Sequence, residues 1–285
     1  MAESFKAPYI HHSIVSRNPQ LNLPKSPLRY PGGKARAVKQ ILKIIPATEE
    51  ILVSPFFGGG SVEIAASHLG MTVIGYDIFT PLVDFWIELL QNPGILADKV
   101  MEYFPLSKSR FYDLQKMTFE DRLESATVFY VLNRCSFGGS TLSGGMSPGH
   151  PRFTETSINY LRNFRAPNLS VSFGDFHKTI VDHSNSFLYL DPPYLIENAL
   201  YGKNGNTHKD FDHEGLCALL QNRDKWVLSY NDSKLIHDMY KKFRFFRPRW
   251  KYGMSSDKES RELLIISNDL PELVFDNDTY QMKFF

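Results

Sequence analysis

The stretch I51-L-V-S-P-F-F-G-G-G-S61 decides how this chain is read. Ile51, Leu52 and Val53 are a short apolar run of β-prone residues, the pattern of a buried strand. Three glycines follow. Ser61 then opens S-V-E-I-A-A-S-H-L, which reads as a helix closed by Gly70 as its C′ residue. M71-T-V-I-G-Y76 is a second strand that ends at Asp77, 17 positions beyond Gly60. Strand, glycine turn, helix, strand and acid form the opening of a doubly wound α/β sheet. Glycine lets backbone approach a ligand closely, and helix N–H groups favour negative or polar atoms. An acid near that offset is the usual partner of ribose hydroxyls.

Two phosphate motifs fail here. The dinucleotide pattern G-x-G-x-x-G has Glu63 where its third glycine belongs, and Gly33-Lys34 is followed by Ala35, which supplies no magnesium ligand. An adenosine-bearing cofactor without a pyrophosphate suits both failures, and S-adenosylmethionine is the candidate. Thr80 with Pro81 matches the N-cap and N1 preferences of the next helix, which frees Asp77 from capping duty.

Further out, residues 1–22 read as a loosely held polar arm. Val38, Ile41, Leu42 and Ile45 have helical spacing, with Pro46 as the stop. Strands are expected at 169–173, 186–190, 226–230, about 243–250 and 262–267, with helices near 212–222 and 233–242. Residues 92–168 interrupt this pattern with helical stretches at 121–134 and 155–165 around the loop F137-G-G-S-T-L-S-G-G-M-S-P-G149. So long an insertion is expected to be a separate, mostly helical domain. Residues 23–91 and 169–285 then form the main Rossmann-like domain.

A second informative stretch is S186-F-L-Y-L-D-P-P-Y194. Each proline fixes φ, neither donates to a ladder, and Asp191 is biased to an extended conformation by the proline after it. The result is a stiff turn holding a carboxylate, the Pro192 carbonyl and the Tyr194 ring in a fixed relation.

Bulk properties set the limits. Charged residues are 22% of the 285, hydrophobic residues 42%, and the net charge is +1, so affinity for nucleic acid has to come from local patches. The two cysteines form no C-x-x-C pair, no metal site is expected, and no apolar run is long enough to span a membrane. With no signal-peptide pattern at the start, a cytoplasmic protein is expected.

Together these residues resemble the Dam-type DNA adenine-N6 methyltransferases (D12 class, alpha group), in which the cofactor motif, target domain and catalytic motif follow in that order. R29-Y-P-G-G-K34 resembles their amino-proximal motif, whose aromatic residue and lysine (here Tyr30 and Lys34) line the methionine end of the cofactor pocket. P55-F-F-G-G-G-S61 resembles the main cofactor loop, which implies Phe57, Gly58 and Gly60 as cofactor contacts. Asp77 resembles the ribose-binding acid, and D191-P-P-Y194 the catalytic motif, in which Asp191 also touches the cofactor. L132-N-R-C-S-F-G-G139 is similar to a target-domain segment, so Arg134 and Phe137 are implied on DNA. S229-Y-N-D232 and E262-L-L-I-I-S267 fall where late family motifs lie. Ser54 stands where the family often carries an acid, Tyr30 where tryptophan is common, and the stretch S140-T-L-S-G-G-M146 lacks the arginine that GATC-specific members carry shortly after Gly139.

The resemblance implies methyl transfer from S-adenosylmethionine to N6 of an adenine flipped out of duplex DNA. It further implies a prokaryotic or phage origin, a monomer or weak dimer, and a partner restriction endonuclease. Asp191 and the Pro192 carbonyl would accept the amine N–H bonds, and Tyr194 would stack on the base. The segment K241-K-F-R-F-F-R-P-R-W-K251 offers Lys241, Arg244, Arg247 and Lys251 as a phosphate-facing rim. Phe137 is a candidate wedge for the space the flipped base leaves. Methylation of RNA adenine and a catalytically silent nucleic-acid-binding module are the alternatives.

Overall fold

A computed structural model describes residues 23–30, 32–141, 144–147, 152–195, 211–247 and 262–270, with the backbone of 274–275 and 282–283. Helix α1 (Val38–Ile44) precedes β1 (Ile51–Ser54), α2 (Ser61–His68), β2 (Thr72–Asp77) and α3 (Thr80–Gln91). The insertion supplies α4 (Pro93–Met101), α5 (Lys108–Leu114), α6 (Arg122–Cys135) and α7 (Glu155–Arg162). The chain then forms β3 (Leu169–Phe173), α8 (Phe176–Asp182), β4 (Phe187–Leu190), α9 (His213–Leu220), β5 (Trp226–Asn231), α10 (Lys234–Met239), β6 (Arg244–Phe246) and β7 (Glu262–Ile266). A small antiparallel pair, β8 (Val274–Phe275) and β9 (Met282–Lys283), completes the described elements.

The main sheet has seven strands in the order β3-β2-β1-β4-β5-β7-β6. β3, β2, β1, β4 and β5 run parallel, while β7 is antiparallel to both β5 and β6. Strand order reverses between β1 and β4. In an open α/β sheet a ligand crevice lies outside the carboxyl ends of the strands at that reversal. The glycine turn leaves β1 there, and D191-P-P-Y194 leaves β4 beside it.

Alternation along the strands sorts the core. Leu52, Val73, Phe187, Tyr189, Val227 and Leu264 pack under α1 and α2, while Val53, Leu188, Leu190, Leu228 and Leu263 pack under α8, α9 and α10. Both faces are covered, so these strands read as continuous apolar runs. Gly70 has φ +97°, the left-handed C′ conformation expected of it.

One expectation needs correction. Thr80 does not cap α3: the N-cap residue is Phe79, and the Asp77 carboxylate accepts its N–H at 3.0 Å. No side chain caps this helix; Asp77 instead closes the turn that leads into it. The insertion's buried residues pack directly on α3. Phe111, Phe129, Tyr130, Val131, Ile158 and Leu161 share one cluster with Leu82, Phe85, Trp86 and Leu89 of α3. Of the strand expected over about 243–250, the described residues hold β6, where Arg244–Phe246 pairs with Leu264–Ile266; residues 248–250 lie outside the described residues. Helices α4, α5 and α8 were not separately foreseen.

Candidate active site

The glycine turn is built around two rings. A Cβ on Gly58 or Gly59 would lie 2.9 or 2.7 Å from Tyr30 atoms, and one on Gly60 2.7 Å from the Phe57 ring. Gly58 and Gly60 also have positive φ, so both steric reasons for glycine apply. Trp86 Nε1 donates to the Gly58 carbonyl at 3.0 Å, and the Phe57 ring meets the Trp86 ring edge-on at 5.1 Å. Phe57 is only 2% exposed. Its ring is therefore packed in the core beside Trp86. Tyr30 remains 41% exposed over the turn.

Asp77 closes this corner. Its Oδ2 accepts the Gly58 N–H at 3.0 Å while Oδ1 accepts that of Phe79, which fixes the carboxylate and leaves lone pairs for hydroxyl donors. Burial pushes its carboxyl above the usual range, and the surrounding N–H groups oppose that shift. Ile78 and Phe173, 60% and 63% exposed, flank it as an apolar shelf at the carboxyl ends of β2 and β3.

At the end of β4, Lys34 Nζ donates to both oxygens of Asp191, at 2.7 and 2.8 Å, and to the Gly32 carbonyl at 3.0 Å. The ammonium also stands 3.6 Å from Glu262 Oε1 and 4.9 Å from the centre of the Tyr194 ring. Glu262, on β7, in turn accepts from the Tyr194 hydroxyl at 3.0 Å. Burial pushes the Asp191 carboxyl upward, the Lys34 charge and hydrogen bond draw it back, and Glu262 adds to the rise. Burial likewise holds the Tyr194 phenol far above its ordinary range, so it stays neutral. Asn231 Nδ2 donates to the Leu195 carbonyl at 2.9 Å and pins the chain beyond the turn. Lys34, expected at the cofactor pocket, and Glu262, whose role sequence separation concealed, thus share one network with Asp191 and Tyr194.

A second acid lies deeper. Glu63 is buried in the first turn of α2 and accepts from Ser54 Oγ at 2.7 Å. Read from the sequence alone, it only broke a motif. The signal available was an acid inside an apolar run.

The insertion carries Phe137 on a short 3-10 turn, 72% exposed. Its N–H donates to the Gly145 carbonyl at 2.8 Å, and Gln115 Nε2 holds the carbonyls of Thr141 and Gly144. The turn is braced from both sides, and the ring is not part of the core. Arg134 donates to the carbonyls of Arg152 and Pro27 at 2.7 and 3.2 Å. Arg244 donates to those of Ser267 and Leu270 at 2.9 and 2.5 Å. Arg247 pairs with Asp232 at 2.7 Å, and Lys241 is exposed. Lys251 lies outside the described residues. Among the described residues no helix is long and apolar enough to cross a membrane.

Comparison with known proteins gives the geometry a context. Residues 30–254 match the profile of the D12 class N6 adenine-specific DNA methyltransferases. The DNA adenine methylase of Haemophilus influenzae is 26% identical over 258 residues, 82% of this chain and 89% of that protein. The type II methyltransferase M1.LlaDCHI of Lactococcus lactis subsp. cremoris is 23% identical over 84% of this chain and 94% of its own. The modification methylase StsI of Streptococcus sanguinis is 28% identical over 76% of this chain, which spans only 38% of StsI.

Proposed function

Since the chain belongs to the D12 class N6 adenine-specific DNA methyltransferases, we propose that it methylates N6 of an adenine flipped from duplex DNA at a specific site, with S-adenosylmethionine as the methyl donor. The observation that carries this reading is the pairing of Asp191 with Lys34 at the β1–β4 reversal, beside the glycine turn.

The donor set fits that cofactor. Asp77 is oriented for ribose hydroxyls, Ile78 and Phe173 offer an apolar shelf for an adenine ring, and Gly58, Gly60, Tyr30 and Lys34 bound the remaining length. When bound, the cofactor supplies an electrophilic methyl on a sulfonium, so the protein needs no nucleophile of its own.

The chain's residues act on the amine. Adenine N6 is a poor nucleophile because its lone pair is delocalised into the ring. Asp191 and the Pro192 carbonyl accept its N–H bonds and favour a pyramidal nitrogen with a freer pair. Lys34 keeps Asp191 ionised and aimed while Glu262 balances the lysine charge. Without Lys34, two carboxylates would face each other and Asp191 would tend to protonate, losing its acceptor role. Tyr194, held through its hydroxyl by Glu262, presents its ring for stacking on the base. Phe137 is suited to fill the space the base leaves. The relatives named as modification methylases suggest a cognate endonuclease as the genetic partner, in the cytoplasm of a prokaryotic or phage-infected cell.

The test is transfer of label from S-adenosylmethionine to duplex DNA, single-stranded DNA and RNA, with nucleoside analysis of the product. N6-methyl-2′-deoxyadenosine from duplex DNA is expected, and label confined to N6-methyladenosine from RNA would overturn the substrate. Asp191→Ala should lower turnover about 10²-fold or more while DNA affinity changes little. Near-normal turnover in that variant would reduce the turn to a strand stop.

A further inference from the structure

The segment that leads into Tyr30 is held by the insertion rather than by the sheet. Asn133, near the end of α6 and 1% exposed, clasps the backbone of Arg29 from both sides. Its Oδ1 accepts the Arg29 N–H at 2.9 Å, and its Nδ2 donates to the Arg29 carbonyl at 2.8 Å. The same Nδ2 lies 3.3 Å from the Gly139 carbonyl, and Arg29 Nη1 donates to the Ser136 carbonyl at 2.8 Å. Gly139 packs so closely that a Cβ there would lie 2.1 Å from the Arg29 carbonyl oxygen. Ser136 and Gly139 bracket the exposed Phe137. On the other side, Arg29 is followed directly by Tyr30 on the glycine turn and then by Lys34 on Asp191. One buried amide therefore joins the two ligand-facing ends of the molecule.

We propose that Asn133 is a positioning residue through which engagement of the Phe137 turn by DNA sets Tyr30 and Lys34, so that DNA and cofactor bind with positive coupling; this rests on the proposed function. A side-chain amide that both donates to and accepts from one residue's backbone fixes that residue's position and orientation together. A ligand that orders either end of the clasp lowers the ordering cost for a ligand at the other end. Because such coupling is reciprocal, each ligand should tighten the other by the same factor.

The experiment is calorimetric titration of S-adenosylhomocysteine, which cannot react, with and without saturating sheared unmethylated genomic duplex DNA. In the wild type the affinity should rise about 5-fold or more with DNA, within the usual range of coupling between sites. Asn133→Ala should bring that ratio to within about twofold of unity while each ligand still binds alone. Arg29→Met, which removes only the guanidinium contact to Ser136, should reduce the ratio as well and carries the test if Asn133→Ala does not fold. A wild type that binds both ligands independently overturns the inference and leaves the proposed function standing. So does full coupling in Arg29→Met together with Asn133→Ala, or in Arg29→Met alone if the other variant is unfolded. A wild type that binds neither ligand overturns the proposed function and this inference with it.

Discussion

Glu63 sits in the first turn of α2 with its carboxyl in the core and Ser54 Oγ as donor. Burial pushes that carboxyl up to about 7, the Ser54 hydrogen bond opposes the shift, and the Asp191 charge adds to it. The folded chain therefore holds this proton more tightly than the unfolded chain, whose glutamate titrates near 4.5. Stability from this group is full below the unfolded value and is lost as pH rises through the folded one. The difference corresponds to roughly 3 kcal/mol. Glu63→Gln keeps an acceptor for Ser54 and cannot ionise. It should match the wild type near pH 4.5 and exceed its stability by up to roughly 3 kcal/mol at pH 8, read by urea unfolding at both. An equal difference at the two pH values would mean that the buried acid is not what titrates. The residue scale also shows what spacing hides: Glu63, Asn133 and Glu262 each owe their role to a partner between 9 and 104 positions away, or to burial that an isolated acid does not announce.

Element β2 illustrates how far local patterning reaches. The strand, its Gly70 start and its Asp77 end were legible because apolar β-prone runs and glycine punctuation are local signals. Gly75 was not read, and its reason lies across the turn. A Cβ there would meet Phe57 Cδ2 at 2.1 Å, so strand and glycine turn are one packing unit. The Phe57 N–H donates to the Tyr76 carbonyl at 2.8 Å, and Gly58 and Asp77 join one residue further along on each strand. The same geometry turns the Phe57 ring inward: a ring beside a glycine turn can point inward as easily as outward, and here the partner glycine makes room for it. Gly75→Ala should force the Phe57 ring against Trp86 and cost about 1–3 kcal/mol. It should also weaken S-adenosylhomocysteine binding, although residue 75 itself is buried. Thermal unfolding and calorimetry read the two effects. An unchanged melting temperature would show that Phe57 yields without strain.

At the scale of the molecule, a chain of net charge +1 has to bind a polyanion through where its charges lie. Composition showed six basic residues between 241 and 251 but not which of them the fold had already engaged. Arg244 spans the carbonyls of Ser267 and Leu270 and so ties β6 to the turn after β7. Arg247 is tied to Asp232, whose carboxyl it and His237 hold below the usual range. Lys241 and Lys242 are exposed at the end of α10. The two lysines are therefore the better candidates for phosphate contact, since each phosphate neutralised adds about 0.9 to the slope of log affinity against log salt. Lys241→Gln with Lys242→Gln should lower that slope by up to about 2 on duplex DNA and leave the melting temperature nearly unchanged. Arg244→Gln should do the reverse: it unties the two carbonyls and lowers stability, and the slope should stay within about 1 of the wild-type value. The two variants separate a charge that faces solvent from one that holds the fold. If the lysine pair leaves the slope unaltered, the phosphate-facing surface lies away from the end of α10, and the basic run there is a solvated edge of the sheet.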